Sequence, residues 1–311
     1  MRHSQLKAFH FVALHGGFSR AAEALFLTQP AISEQVRKLE QDHDVLLFHR
    51  ERKRVQLTEI GENLFRLTKH YFEIEQQISE YISETRTSVD GSLRIIADSA
   101  YHVTDILSAF RKRYPNVMVT LRTGNSDEVL EELRAFNAEV GVASRLSPGS
   151  DMKTLNLGET PIVAFAARGL LPADKTTITL SELTELPLIF RETGSKTRQK
   201  LEEAATQAGV VLSPAIEAEG RETVRELVAS GAGVGFVSKA EFGHDARLVE
   251  ITLSDINLRM GESIVHLAQR REVKVIRAFM EFARNHVTAA AGNQVSSSSS
   301  DMVSISRVSS N

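Results

Sequence analysis

The chain contains no cysteine. That excludes a disulfide framework, a cysteine-ligated metal and a thiol nucleophile together. It has no run of about 18 apolar residues of the kind that crosses a bilayer. Its N-terminus is polar, without the apolar stretch of a secretory leader, so a cytoplasmic protein without membrane contact is expected. Neither charge dominates: 37 Lys and Arg stand against 40 Asp and Glu, a formal net charge of −3. Binding to nucleic acid, if present, must come from a local basic patch. Catalytic signatures are missing as well. There is no GxSxG, no phosphate-binding loop, no HExxH and no close pair of carboxylates, and the ten histidines are scattered without ligand spacing. The GAGVG run at Gly231–Gly235 leads into a strand and reads as a tight turn rather than a dinucleotide site. No enzyme activity, no cofactor and no metal are expected.

What is present begins with FSRAAEALFLTQPAISEQVRK, Phe18 to Lys38. It reads as two short helices about a tight turn, after an amphipathic helix carrying Leu6, Phe9, Val12 and Ala13 that ends at Gly16-Gly17. Ala21, Ala22 and Leu25 give the first short helix an apolar face. Thr28 is placed to cap the second and Pro30 sits in its first turn. Ile32, Val36 and Leu39 fall on its buried face. Thr28, Gln29, Ser33, Arg37 and Lys38 are left for an outside partner, and short polar side chains backed by cations suit the major groove of DNA. Further on, Arg50, Arg52, Lys53 and Arg54 crowd between two β-like pieces, Leu47-Phe48 and Val55-Leu57. A solvated charge run is one reading, and a wing that touches the phosphate backbone is the other.

Thr58 is a good N-cap for a helix reaching about Thr85. On it Leu64, Leu67, Tyr71, Ile74, Ile78 and Tyr81 follow each other at intervals of three and four. So narrow a seam favours pairing with another chain over packing within its own domain. After the hinge Ser88–Gly91 come LRIIA, a helix around 105–113, VMVTL, a helix over 127–136 and EVGVA, the β-α-β-α-β order of a parallel sheet. IVAFAA, PLIF, a helix over 196–208, AIEA, a helix over 222–229 and GVGFVS repeat the pattern. Two such α/β halves imply hinged subdomains with a cleft between them. ESIVHLAQ and an amphipathic helix with Val275, Ile276, Phe279, Met280 and Phe282 close the region, and the Ser-rich remainder predicts disorder.

Ligands of such folds bind at strand ends and helix N-termini. Two stretches qualify, Asp98–His102 and Arg191–Arg198. The second is unusual for a helix start. Asn125-Ser126-Asp127-Glu128 supplies its own cap and acids, whereas the helix after Gly194 begins with Lys196 and Arg198 at the positive end of the dipole. That costs from a few tenths to about 1 kcal/mol. An anion held by the backbone, by Ser195 and Thr197 and by these cations would reverse the sign. Arg145 at a strand end is a further cation, either facing the cleft or solvated, and Ser238 is a weaker strand-end candidate.

TQPAISEQVRKLE preceded by GGFSRAAEAL closely resembles the recognition segment of LysR-type transcriptional regulators, and the resemblance extends over residues 3 to 286. It implies a multidomain protein: an N-terminal all-α winged helix-turn-helix (1–58), a dimerising linker helix (59–87), an α/β effector domain of two subdomains like a periplasmic binding protein (91–288), and a tail (289–311). Ser19, Arg20, Pro30 and Ala31 join the DNA-facing set by the same resemblance, and Ser99, Tyr101, His102, Thr123 and Thr193 join the effector set. Its partners would be double-stranded DNA with two-fold related half-sites, a second copy in a dimer or tetramer, RNA polymerase and a small non-covalent anionic effector. DSAYHV, FRETGSKTR and SKAEFGHD resemble the subgroup associated with aminoethylphosphonate catabolism, which implies a phosphonate, although sulfate, phosphate or a carboxylate would suit the same side chains. A solute-binding or sensor protein without promoter control is the competing reading.

Overall fold

The structure, a computed structural model, describes residues 1–49, 55–82, 89–144 and 149–305. The chain forms two compact units, Met1–Thr87 and Ser88–Asn311.

In the first unit α1 (His3–His15), α2 (Phe18–Leu25) and α3 (Gln29–His43) precede a two-stranded hairpin, β1 (Phe48–His49) and β2 (Gln56–Leu57), and then α4 (Glu59–Ile82). Gly16 ends α1 with φ at 63°, its N–H returning to the Val12 carbonyl. Phe9, Val12, Ala21, Ala22, Ile32, Val36 and Leu39 meet in one core with Leu47 and Phe48. Thr28 stands at the N-cap of α3 as expected, but its side chain makes no capping bond. Pro30 is at N2, and removes one of the two N–H groups such a cap would use. Thr58 does cap α4, its hydroxyl accepting from Gly61 N–H at 3.0 Å and donating to the Leu46 carbonyl at 2.7 Å. The hairpin pairs Phe48 with Leu57 and His49 with Gln56, the two β-like pieces read from sequence. Its basic tip, with Arg50, Arg52, Lys53 and Arg54, lies outside the described residues.

The second unit contains β3 (Gly91–Ala97), α5 (Thr104–Arg113), β4 (Val117–Thr123), α6 (Ser126–Arg134), β5 (Val140–Ser144), β6 (Met152–Ala167), β7 (Thr177–Ile178), α7 (Leu180–Leu183), β8 (Leu188–Arg191), α8 (Lys196–Gln207), β9 (Pro214–Ala218), α9 (Arg221–Ala229), β10 (Val234–Ser238), α10 (Lys239–Phe242), β11 (Leu248–Leu253), β12 (Arg259–Leu267) and α11 (Lys274–Ile305). The strand order is β4-β3-β5-β12-β6 in one lobe and β9-β8-β10-β6 in the other. Each lobe thus repeats a second-first-third order on a returning antiparallel strand. Apolar side chains cover both faces of the first sheet: Leu93, Ile95, Val142 and Phe279 on one, and Ile96, Val129 and Leu133 on the other. That double cover is why these strands read as nearly continuous apolar runs.

The repetition reaches single residues. Gly141 in β5 and Gly235 in β10 occupy the same place in their lobes, and a Cβ at either would fall within 3 Å of a helix valine, 2.5 Å from Val129 and 2.8 Å from Val228. EVGVA and GVGFVS therefore carry glycine where a helix lies close on the third strand. β6, which crosses into both lobes, starts ten residues before the apolar run that announced it, because its polar first half is exposed on alternate residues. β7, α7, α10 and β11 were not anticipated; the first three are too short for a periodic signal. The last helix continues to Ile305, through most of the segment predicted to be disordered. Ala289, Ala290 and Ala291, the strongest helix formers, carry it onward.

One buried group gives the first unit a pH dependence. The His10 imidazole faces the Thr68 hydroxyl at 3.0 Å, and burial, helped by Lys69 and His15, lowers its pKa from 6.5 to about 4. The unfolded chain therefore takes up the proton first, so stability is complete above pH 6.5 and falls as pH drops toward 4. Thermal unfolding followed across that window should show the loss in the native chain and a flatter profile in His10→Gln. Equal slopes would refute it.

Candidate functional site

Each unit carries one candidate surface. On α3, Gln29, Pro30 and Ala31 are exposed ahead of the buried Ile32, and the Gln29 side-chain amide donates to the Ser33 hydroxyl at 2.8 Å. This leaves a pair of short polar groups able to donate and accept at one edge of the helix. Arg37 and Lys38 follow one turn later, but both are held by Glu34. The Arg37 guanidinium donates to both Glu34 oxygens at 2.8 Å, and Lys38 lies 3.2 Å away. Hydrogen bonds from Arg37 and then Lys38 hold the Glu34 carboxyl at about 2. Exposed pairs of this kind contribute little to stability, so a phosphate can take the cations over. Ser19 and Arg20 are exposed on α2, Arg20 donating to the Gly16 carbonyl at 2.7 Å, and Thr28 is exposed at the turn.

The seam on α4 divides. Leu64 is half-buried and packs against the core of α1 to α3. Leu67, Tyr71, Ile74 and Ile78 are exposed, Leu67 at 69% and Ile78 at 54%. Apolar residues left in water along one helical stripe mark an interaction surface. The Tyr81 side chain lies outside the described residues.

In the second unit the ends of β3 and β5, the N-termini of α6, α8 and α9, and strand β12 come together where the two lobes face each other. The chemistry there is not the one expected from sequence. Asp98, just after β3, accepts at Oδ2 from the Ser126 hydroxyl (2.6 Å), the Ser144 hydroxyl (2.9 Å) and the Ser144 N–H (3.0 Å). Ser144 also reaches Glu262 on β12 at 3.2 Å. His102 Nε2 stands 2.8 Å from Glu241 Oε1 and 3.9 Å from Glu262 Oε1. Arg221, at the start of α9, donates to Glu241 at 2.7 Å and stops 4.0 Å from Asp98. Burial, then the charges of Asp98 and Glu241, push the Glu262 carboxyl up to about 9. His102, Glu241 and Glu262 are also close enough together to hold a metal ion.

The cations predicted to bind an anion are engaged elsewhere. Arg191 pairs with Glu192, and Lys196 with Asp127 at 2.9 Å. Arg198 turns to Glu202 and Glu217 at 2.8 and 2.6 Å and donates to the Arg191 carbonyl. The acids beside them in sequence and across the fold satisfy these side chains. Ser195 and Thr197 are buried as expected at the start of α8. The Ser195 hydroxyl is enclosed without a partner, and it makes no capping bond. The comparison helix α6 behaves as read, Asn125 accepting from the N–H groups of Asp127 (3.1 Å) and Glu128 (3.0 Å). Ser99 is buried behind Asp98, and Ser238 is buried against Thr160 at 2.5 Å. Tyr101 is exposed edge-on to His102, while Thr123 and Thr193 are exposed and outside the bonded cluster. Arg145 lies outside the described residues. Ser126, Ser144, Arg221, Glu241 and Glu262 were missed. Glu262 alone had a signal, as a lone carboxylate in the apolar strand MGESIVHL.

Residues 3–62 match the family described as bacterial regulatory helix-turn-helix protein, lysR family, and residues 86–288 match the LysR substrate binding domain. The chain is 27% identical to the HTH-type transcriptional activator CmpR of Synechocystis sp., over 94% of this chain and 97% of that protein. In fold it is similar to full-length CbnR complexed with its target DNA, with a TM-score of 0.65, 21% identity, and 92% and 99% of the two chains covered. The Synechocystis CcmR regulatory domain in complex with 2-PG is similar at a TM-score of 0.58 and 20% identity, over 64% of this chain and 98% of that one.

The exposed stripe on α4 yields a direct expectation. Ile74→Asp with Ile78→Asp should lower the sedimentation mass of the full chain while leaving its helical circular dichroism intact. An unchanged mass would remove α4 as the pairing element.

Proposed function

Because the chain belongs to the LysR family of bacterial helix-turn-helix regulators, we propose that it reads a two-fold related pair of DNA half-sites with paired α3 helices and answers to a small molecule in the cleft of its second unit. The observation that carries the reading is the edge of α3, where Gln29 and Ser33 stand bonded to each other and open outward over a buried Ile32, Val36 and Leu39 face. Groups of this length donate to and accept from base edges in the major groove. The basic run of Arg50, Arg52, Lys53 and Arg54 supplies cations for the phosphate backbone, and the exposed α4 stripe presents two copies together. RNA polymerase is the further partner of such a regulator.

The effector is a small molecule with an anionic end, and 2-aminoethylphosphonate is the specific candidate. Support comes from the start of α8, where an enclosed Ser195 hydroxyl and the first backbone N–H groups of the helix lack a capping partner. The DSAYHV, FRETGSKTR and SKAEFGHD stretches support the phosphonate by resemblance. Ligand binding closes the two lobes and shifts the population between two arrangements of the paired chains. A sensor without promoter control would leave the outward edge of α3 without use.

Gln29→Ala with Ser33→Ala should abolish sequence-specific binding in a mobility-shift assay while leaving oligomeric mass unchanged; native operator affinity would sink the α3 assignment. Neutralising Arg52 and Lys53 should weaken binding to every sequence and flatten its dependence on salt. For the effector, Ser195→Ala should reduce the rise in Tm produced by 2-aminoethylphosphonate. A rise of the same size would place the anionic end elsewhere.

A further inference from the structure

Asp98, Glu241 and Glu262 are the most enclosed charged groups of the cleft, with side chains 2%, 4% and 3% exposed. One oxygen of each is engaged by the serines, Arg221 or His102. The other oxygen of each, Asp98 Oδ1, Glu241 Oε2 and Glu262 Oε2, is buried without a hydrogen-bond partner. Unbonded carboxylate oxygens removed from water are costly, and native proteins do not accumulate them in one place without use.

We propose that the cleft takes the primary ammonium group of its effector, one N–H going to each of these three oxygens. The inference rests on the effector reading above and names the group recognised at the acidic end. An ammonium carries three donors and no acceptor, which matches three open acceptors in number and kind. Charge agrees. Among the described residues the three carboxylates face one permanent cation, Arg221, and His102, whose Nε2 already lies on Glu241. A divalent ion would have to sit beside that guanidinium, which stands 4.0 Å from Asp98. Asp98, His102 and Glu262 belong to the first lobe, and Arg221 and Glu241 to the second. An ammonium bonded to all three carboxylates therefore ties the lobes together.

The other end of the ligand has its own wall. A Cβ on Gly194 would lie 2.9 Å from Asn125 Oδ1, so the start of α8 abuts the start of α6, and the next residue, Ser126, bonds Asp98. The acidic group and the enclosed Ser195 hydroxyl thus flank one helix terminus, an arrangement suited to a short zwitterion. Burial and the neighbouring carboxylates push Glu262 up to about 9, so it holds a proton at neutral pH until a cation bonds to it. Glutamine imitates that protonated form, so Glu262→Gln should fold and melt as the native chain does.

The test is calorimetric titration of the full chain and of E262Q with 2-aminoethylphosphonate, with ethylphosphonate, which lacks the nitrogen, and with Zn²⁺ alone. The amine should bind about tenfold to a hundredfold more tightly than ethylphosphonate, the range expected of charge-assisted hydrogen bonds, and E262Q should lose that difference. Equal affinity for the two phosphonates overturns the ammonium site and leaves the effector cleft standing. Tight binding of Zn²⁺ that is lost in E262Q assigns the cluster to a metal and also overturns it. Ethylammonium chloride, matched against sodium chloride, reads the site independently of the phosphonate. Stabilisation of the native chain but not of E262Q supports the ammonium site even where neither phosphonate binds. Failure of both amines overturns it.

Discussion

The second unit depends on the antiparallel pairing of β6 with β12. These two strands run side by side from Met152 against Leu267 to Pro161 against Arg259, and β6 continues to Ala167 between β10 and β11. Each lobe hangs its parallel strands on one end of this ribbon. The register slips once, between Glu262 and Ser263. Glu262 and Ser263 face Gly158 and Asn156, so the extra residue of this bulge is Leu157 on β6, and Glu262 lies directly beside it. The strand pair that joins the lobes is therefore also the strand pair that delivers a carboxylate to the cleft, and a group bonded there acts on the join itself.

The chain's legibility followed the range of its interactions. The α1 to α3 hairpin was readable because its core residues recur every three or four positions and its punctuation, Gly16 and Pro30, is local. The two α/β halves were readable because buried parallel strands announce themselves as apolar runs. Leu64 continues the spacing of the exposed seam yet packs against the core of α1 to α3, because a regular seam does not reveal where the domain core ends. The start of α8 was legible from its lack of cap acids, and the pairing of its cations was local too: Glu192 and Glu202 lie one and four residues from the arginines they hold. The acidic cluster was illegible for a different reason. Residues 98, 102, 221, 241 and 262 come together only through the crossing of the lobes, and no spacing encodes that.

The two ends of the cleft solve opposite problems. At α8 a helix terminus keeps its positive end and an enclosed hydroxyl, while the nearby cations are occupied by acids. At the other end carboxylates outnumber the cations that face them. Either end alone would be an electrostatic burden, since a buried polar group is stable only with a partner. On the proposed reading, the two together favour a ligand with charge of both signs over a molecule carrying only one.

Glu34 has a consequence for how the protein moves along a chromosome. By holding Arg37 and Lys38 on their own helix, it cancels much of the positive charge of α3 before any contact is made. On the proposed reading, phosphate must displace a carboxylate to reach either cation, so α3 meets random DNA with less electrostatic grip than its two cations alone would give, and Gln29 and Ser33 decide where it stays.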